Sequence, residues 1–194
     1  WLKKPGLTIW EYANGIENSQ VRSGGTPIKS VGNSTTLPFD VETRDEAHKV
    51  LLAISEMIGM RVRDLEMCGW VISVSIKNHL FYSCSHQRKL AAPTDATSTI
   101  YKYAALLFDE LWDGEPLRHL SISLSQLQSS EFFQISMLEP FDVRNRKLDR
   151  TIDSLRSKFG QNSIYRSCFL HSGIDPVIGG VVMEESYPMM SSYL

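Results

Sequence analysis

Apolar residues recur at three- and four-residue steps from Ala47 to Leu65: Ala47, Val50, Leu51, Ile54, Ile58, Val62 and Leu65. That spacing winds into one stripe of an amphipathic helix, expected over about 44–65. Its start is marked by Thr43-Arg44-Asp45-Glu46, a Thr-x-x-Glu pattern that satisfies orphan amides at a helix N-terminus. The period then changes. Trp70, Ile72, Val74 and Ile76 alternate with Val71, Ser73, Ser75 and Lys77, as in a strand with one buried face. Asn78-His79 reads as a short turn, and 80–89 as a second strand that closes a hairpin. A second helix is expected over about 96–112 behind a Thr94-Asp95 cap, with Ile100, Tyr103, Ala104, Leu107 and Leu111 inward. In a last strand, 117–125, Leu120, Ile122 and Leu124 alternate with Ser121, Ser123 and Ser125.

With a first strand over 27–37, the order is β-α-β-β-α-β. It predicts an α+β fold: a ferredoxin-like four-stranded sheet with both helices on one face, plus a C-terminal helical tail. The other face of the sheet is left to solvent, and the serines of the last strand make it polar. Residues 1–20 read as the end of a helical element stopped at Asn14-Gly15, and 17–26 as a polar linker. The tail helix is expected over 144–159, with Leu148, Ile152, Leu155 and Phe159 on one side.

Composition narrows the class. Of 194 residues, 42% are apolar and 22% charged, as in an ordinary globular protein. No apolar run approaches the roughly 18–20 residues of a membrane span, so no membrane partner is expected. Cys68, Cys84 and Cys168 form no Cys-x-x-Cys motif, which points to a reducing compartment and to no metal site. Without an initiating Met, the chain reads as a piece of a longer protein. No Asp/Glu constellation marks a catalytic or cofactor site; Asp109-Glu110 and Glu184-Glu185 read as solvated charges.

The net charge of −2 argues mildly against a nucleic-acid partner, but its distribution reverses that reading. Strand regions 27–37, 67–90 and 116–126 hold Lys29, Lys77, Arg88, Lys89 and Arg118 and no carboxylate. The helices and their entries, 40–66 and 95–115, hold twelve acids against Arg44, Lys49, Arg61, Arg63 and Lys102. An acid-free sheet rich in hydroxyls, amides and cations suits phosphate contacts.

Four stretches then carry a family resemblance: LTIWEYANGIE (7–17), KSVGNSTT (29–36), PLRHLSISLSQL (116–127) and KLDRTIDSLRSKFGQNSI (147–164). In order and spacing the chain resembles the C-terminal part of Y-family translesion DNA polymerases, the UmuC-like, polymerase V-type branch. The resemblance implies the end of a thumb domain over 1–20, a linker over 21–27 and a DNA-binding little-finger domain over 28–127. A clamp-binding segment and tail would follow over 128–194. It implies a bacterial, cytoplasmic protein of damage tolerance and the SOS response. Lys29, Ser30, Val31, Gly32, Asn33, Ser34, Thr35, Lys77, Arg88, Lys89 and Arg118 would contact template–primer DNA. Gln134, Ile135, Ser136, Met137 and Leu138 resemble the pentapeptide that docks such polymerases on a sliding clamp; Met137-Leu138 departs from the usual aromatic ending. The carboxylates that hold magnesium for nucleotidyl transfer would lie in a palm domain ahead of residue 1, so this chain is expected to be non-catalytic with no cofactor of its own.

Two other readings fit the fold class. A ferredoxin-like RNA-binding module needs aromatics on the central strands for base stacking, where this chain has mostly serine. A small acyl-phosphate hydrolase needs an anion site, for which Asn33 and Arg118 are candidates without an evident nucleophile or base.

Overall fold

The structure is a computed structural model that describes residues 3–17, 27–130 and 143–176. Its elements in order are helix α1 (Lys3–Ala13), strand β1 (Ser30–Val41), helix α2 (Arg44–Asp64), strands β2 (Met67–Asn78) and β3 (Ser83–Thr94), helix α3 (Thr97–Leu111), strand β4 (Leu117–Ser129) and helix α4 (Val143–Phe159). Two short 3-10 turns follow, Gln161–Ser163 and Ser167–Phe169. The α+β class and the β-α-β-β-α-β order stand as expected from the sequence. Element order alone leaves open which strands are central. The sheet runs β1-β4-β2-β3 with every neighbour antiparallel, so β2 and β4 form the middle and β1 and β3 the edges.

The core lies between one face of this sheet and the layer of α2 and α3. Ile72, Val74 and Ile76 of β2 and Leu120, Ile122 and Leu124 of β4 meet Val50, Leu51, Ile54 and Ile58 of α2 and Ile100, Ala104 and Leu107 of α3. The capping box at α2 forms as its sequence requires. Thr43 Oγ1 accepts from the Glu46 amide at 3.3 Å, and Glu46 Oε2 accepts from the Thr43 amide at 3.2 Å. Pro38 is accommodated because β1 is an edge, where a missing amide costs no ladder bond.

Three features differ from the sequence reading. The β2–β3 turn occupies 79–82, not Asn78-His79, because the side chain of Asn78 accepts from the amides of both Leu80 and Tyr82 and delays the second strand. No side chain of Thr94 or Asp95 caps α3. Thr94 Oγ1 instead accepts from the Ala96 amide, and Asp149 of α4 accepts from the Thr97 amide at 2.9 Å, so the cap comes from a distant element. Finally, α4 docks with its charged side inward.

Asp149 and Arg156 are buried, while Leu148, Leu155 and Phe159 remain exposed. Arg63 of α2 donates through Nε and Nη2 to Asp153 at 2.6 and 3.0 Å and through Nη1 to Asp149 at 3.3 Å. Glu56 accepts from Arg156 at 2.7 Å and from Arg166 at 2.6 Å, and Arg146 pairs with Asp95. Buried ions demand partners. The charges on the back of α2 therefore select the polar face of α4, overriding its apolar periodicity. Beyond α4, Phe169 and Ile174 join the core.

Candidate nucleic-acid interface

Residues directly opposite one another in an antiparallel ladder share a face, so the pairings define the outer surface of the sheet. Four rows cross it from β1 through β4 and β2 to β3. They are Ser30-Ser125-Val71-Lys89, Gly32-Ser123-Ser73-Gln87, Ser34-Ser121-Ser75-Ser85 and Thr36-His119-Lys77-Ser83. Nine of these sixteen positions are serine, and none is a carboxylate. The rows extend about 20 Å along the strands and about 14 Å across them at ordinary strand spacings.

The edge strand β1 adds backbone donors. Arg61 of α2 donates Nη1 to the Gly32 carbonyl at 3.0 Å, and the Ser34 amide donates to the Asn33 side chain at 3.0 Å. Along an antiparallel strand alternate residues exchange both ladder bonds. Bonds from Gly32 and Ser34 to groups other than β4 therefore place these two, with Ser30 and Thr36, on the free edge. Their amides point off the edge of the sheet and their side chains off its outer face, and the Ser34 amide is already engaged by Asn33. Lys29 is exposed immediately ahead of them.

The expected contact residues consequently divide. Ser30, Gly32, Ser34, Lys77 and Lys89 lie on the outer face, and Lys29 stands at its border. Val31, Asn33 and Thr35, expected to offer backbone amides, lie opposite Leu124, Ile122 and Leu120 with their side chains on the helix-side face, and strand alternation turns their amides toward β4. Arg88 is a correction of the same kind. It pairs with Ile72, which points into the core, and its guanidinium reaches Glu110 of α3 at 2.7 Å. His86, on the same side, lies 3.4 Å from Glu110. Arg118 sits where the β4 register shifts, and it pairs with Asp40 at 3.1 Å. Both groups are substantially exposed, and such a pair contributes below about 1 kcal/mol, so Arg118 is free to exchange Asp40 for another anion. Asp40 itself lies within β1, so the first strand carries one acid at its far end. Gln134–Leu138 lie outside the described residues.

The sequence reading passed over Thr36, Ser85, Gln87 and Arg61 as contact candidates. Alternation from Ser34 would have found Thr36, whereas Arg61 reaches the edge only through the packing of α2.

His119 sits in the middle of the last row. Its Nδ1 and the Thr36 hydroxyl are 2.9 Å apart and hydrogen-bonded. Burial, and secondarily the charge of Lys77, hold its pKa below the ordinary 6.5. A His with a lowered folded pKa favours the neutral form, so stability from this group is present above about pH 6.5 and lost as pH falls through the folded value. An anion on this face reverses the preference. Duplex affinity should therefore rise as pH falls below about 6.5 by more than in a His119→Gln variant, a difference readable by anisotropy titration at several pH values.

Opposition between Asn33 and Arg118 also disposes of the anion-loop arrangement. Asn33 faces the helix side opposite Ile122, while Arg118 pairs with Asp40 farther along β1. Among the described residues no helix is long and apolar enough to cross a membrane.

The chain is similar to known proteins along most of its length. "DNA polymerase IV" of Clostridium acetobutylicum is 43% identical over 170 residues, covering 87% of this chain and 43% of the relative. "DNA polymerase IV 2" of Bacillus subtilis is 34% identical over 170 residues, covering 85% of this chain and 41% of the relative. The chain thus spans less than half the length of these relatives. Among solved structures, "Complex of beta-clamp processivity factor and little finger domain of PolIV" is similar at 15% identity and a TM-score of 0.45, covering 57% of this chain and 99% of that one. Residues 28–137 match the impB/mucB/samB family C-terminal domain. They contain the whole four-stranded sheet and both of its packed helices, and the chain belongs to that family.

Proposed function

We propose that this chain is the DNA-gripping portion of a bacterial translesion DNA polymerase, holding the backbone of a template–primer duplex. The observation that carries the reading is the four outer rows without a carboxylate, with their serines, Lys77, Lys89 and the adjoining free edge of β1; Asp40 lies beyond the last row and is paired with Arg118. The sheet, about 14 Å across, can present to a major groove about 12 Å wide its two central strands, the two-stranded ribbon that such a groove admits. Its two edge strands would then meet the phosphate ridges on either side, Lys89 from β3 and the Ser30–Thr36 edge from β1. Hydroxyls and amides hold phosphate without reading bases, which suits an enzyme that must advance over altered templates. At the central positions of the four outer rows stand Val, Ser, Lys and His, with Trp70 beside Lys89 at their border, so the face offers little for base stacking and the RNA-binding reading is less well supported.

In this proposal α1 closes a preceding thumb domain, and the duplex is held by residues 28–127. The Gln134–Leu138 segment offers a Gln amide and three apolar side chains to a groove on a sliding clamp. Nucleotidyl transfer, with its magnesium, belongs to other parts of a longer cytoplasmic protein, and the chain here supplies the grip on DNA and the clamp-docking segment.

A carboxylate placed in the centre of the face tests this. Ser123→Glu should fold normally, because the position is solvent-facing, and should bind primer–template DNA at least about tenfold more weakly at low salt through repulsion of phosphate. Equal binding by the variant would remove the sheet face from the interface.

A further inference from the structure

The β2–β3 hairpin ends in Leu80, Phe81 and Tyr82, whose exposures are 59%, 82% and 74%. Among the described residues no large apolar side chain is more exposed than Phe81. This tip is built rather than loose. Asn78 is buried and gathers it: its Oδ1 accepts from the Leu80 amide at 3.0 Å and the Tyr82 amide at 2.9 Å, and its Nδ2 donates to Glu115 at 2.6 Å. Backbone bonds from Asn78 to the Tyr82 carbonyl and from Phe81 to the Asn78 carbonyl close the turn. Phe81 itself is held at φ 67°, a left-handed conformation that an aromatic residue adopts only when its surroundings impose it. The fold therefore fixes the backbone that carries this aromatic ring and leaves the ring in water.

Position says what the ring meets. Lys77 and Ser83 form the last ladder pair before the tip, and both belong to the outer face of the sheet. A duplex lying on that face runs directly against the hairpin. Three side chains are also far too few for a specific protein–protein interface, which buries about 800 Å² per partner. A wedge of one or two apolar residues, by contrast, is enough to enter a nucleic-acid groove.

We propose that the hairpin tip, led by Phe81, packs into the groove of the bound duplex against deoxyribose and base edges, as a non-ionic contact beside the phosphates held by the sheet. The inference rests on the DNA-gripping reading of the face and adds a term that salt does not screen. Phosphate contacts set the slope of affinity against salt, whereas an apolar contact shifts affinity equally at all salt concentrations.

Anisotropy titrations of the full chain on a primer–template duplex over a salt series separate the two. Phe81→Asn removes the ring while tolerating the left-handed backbone, so the hairpin stays folded. It should weaken binding about tenfold at every salt concentration with the slope unchanged, and Tyr82→Ala should weaken it less. A Phe81→Trp variant should show quenched emission on adding duplex. Salt-dependent binding by the unaltered chain, with the Asn variant equal to it and the Trp emission unmoved, would overturn the tip contact and leave the face standing. No duplex binding by the unaltered chain at low salt would overturn both.

Discussion

Replacing Lys77 and Lys89 together by alanine should lower the slope of log affinity against log salt by about 1.8, since each neutralised phosphate contributes about 0.9. The loss in affinity at low salt should be about tenfold or more. The two lysines stand in opposite outer rows, Lys89 in the first on β3 and Lys77 in the last on β2. They therefore report on both ends of the face. Neither holds the fold together: Lys89 lies 5.6 Å from the centre of the Trp70 ring, and such an exposed cation–π contact contributes below about 1 kcal/mol. An unchanged slope in the double variant would show that the bound phosphates lie elsewhere. Arg88→Ala is the internal contrast, because its position opposite Ile72 turns its side chain to the helix side, away from the outer rows, and its loss should leave the slope alone.

Arg63→Ala should destabilise the protein by about 3–5 kcal/mol, the cost of leaving buried carboxylates without their cation. The side chains of Arg63 and Asp149 are 6% and 8% exposed, so solvent does little to screen the loss. Urea denaturation followed by circular dichroism would measure it, and a loss below about 1 kcal/mol would mean that α4 is docked by something else. The effect carries a pH signature. Burial pushes the Asp149 carboxyl above its usual range, opposed by the Thr97 amide and the Arg63 guanidinium. Without Arg63 the carboxyl rises further, and a raised carboxyl costs stability as pH climbs through the folded pKa. The variant should therefore be closer to the unaltered protein near pH 4–5 than at pH 7, where about the whole penalty applies.

The periodicities along the chain were enough to read every helix and strand of the sheet domain, because one-sided burial writes itself into sequence at periods of 3.6 and 2. The acid-free outer face was legible for the same reason. What failed is register and partner choice. Arg88 and Lys89 are adjacent on a strand, so only one of them can face outward; strand alternation alone excludes naming both, and choosing between them requires knowing that Arg88 lies opposite Ile72. The same alternation separates Ser30, Gly32 and Ser34 from Val31, Asn33 and Thr35. In α4 three of the four stripe residues, Leu148, Leu155 and Phe159, stay outward, because Arg63 and Glu56 wait on α2 for charged partners. No local pattern discloses a partner so far along the chain.

That separation bears on the order of events in folding. The bonds from Arg63 to Asp149 and Asp153 and from Glu56 to Arg156 and Arg166 join residues 86 to 110 apart. Their docking surface, Glu56 and Arg63 of α2 beside the first amide of α3, exists only after those two helices have packed on the sheet. Helix α4 is therefore expected to dock late, and substitutions in its ionic contacts should act mainly by accelerating unfolding while leaving the folding rate almost unchanged, as stopped-flow folding and unfolding rates would show.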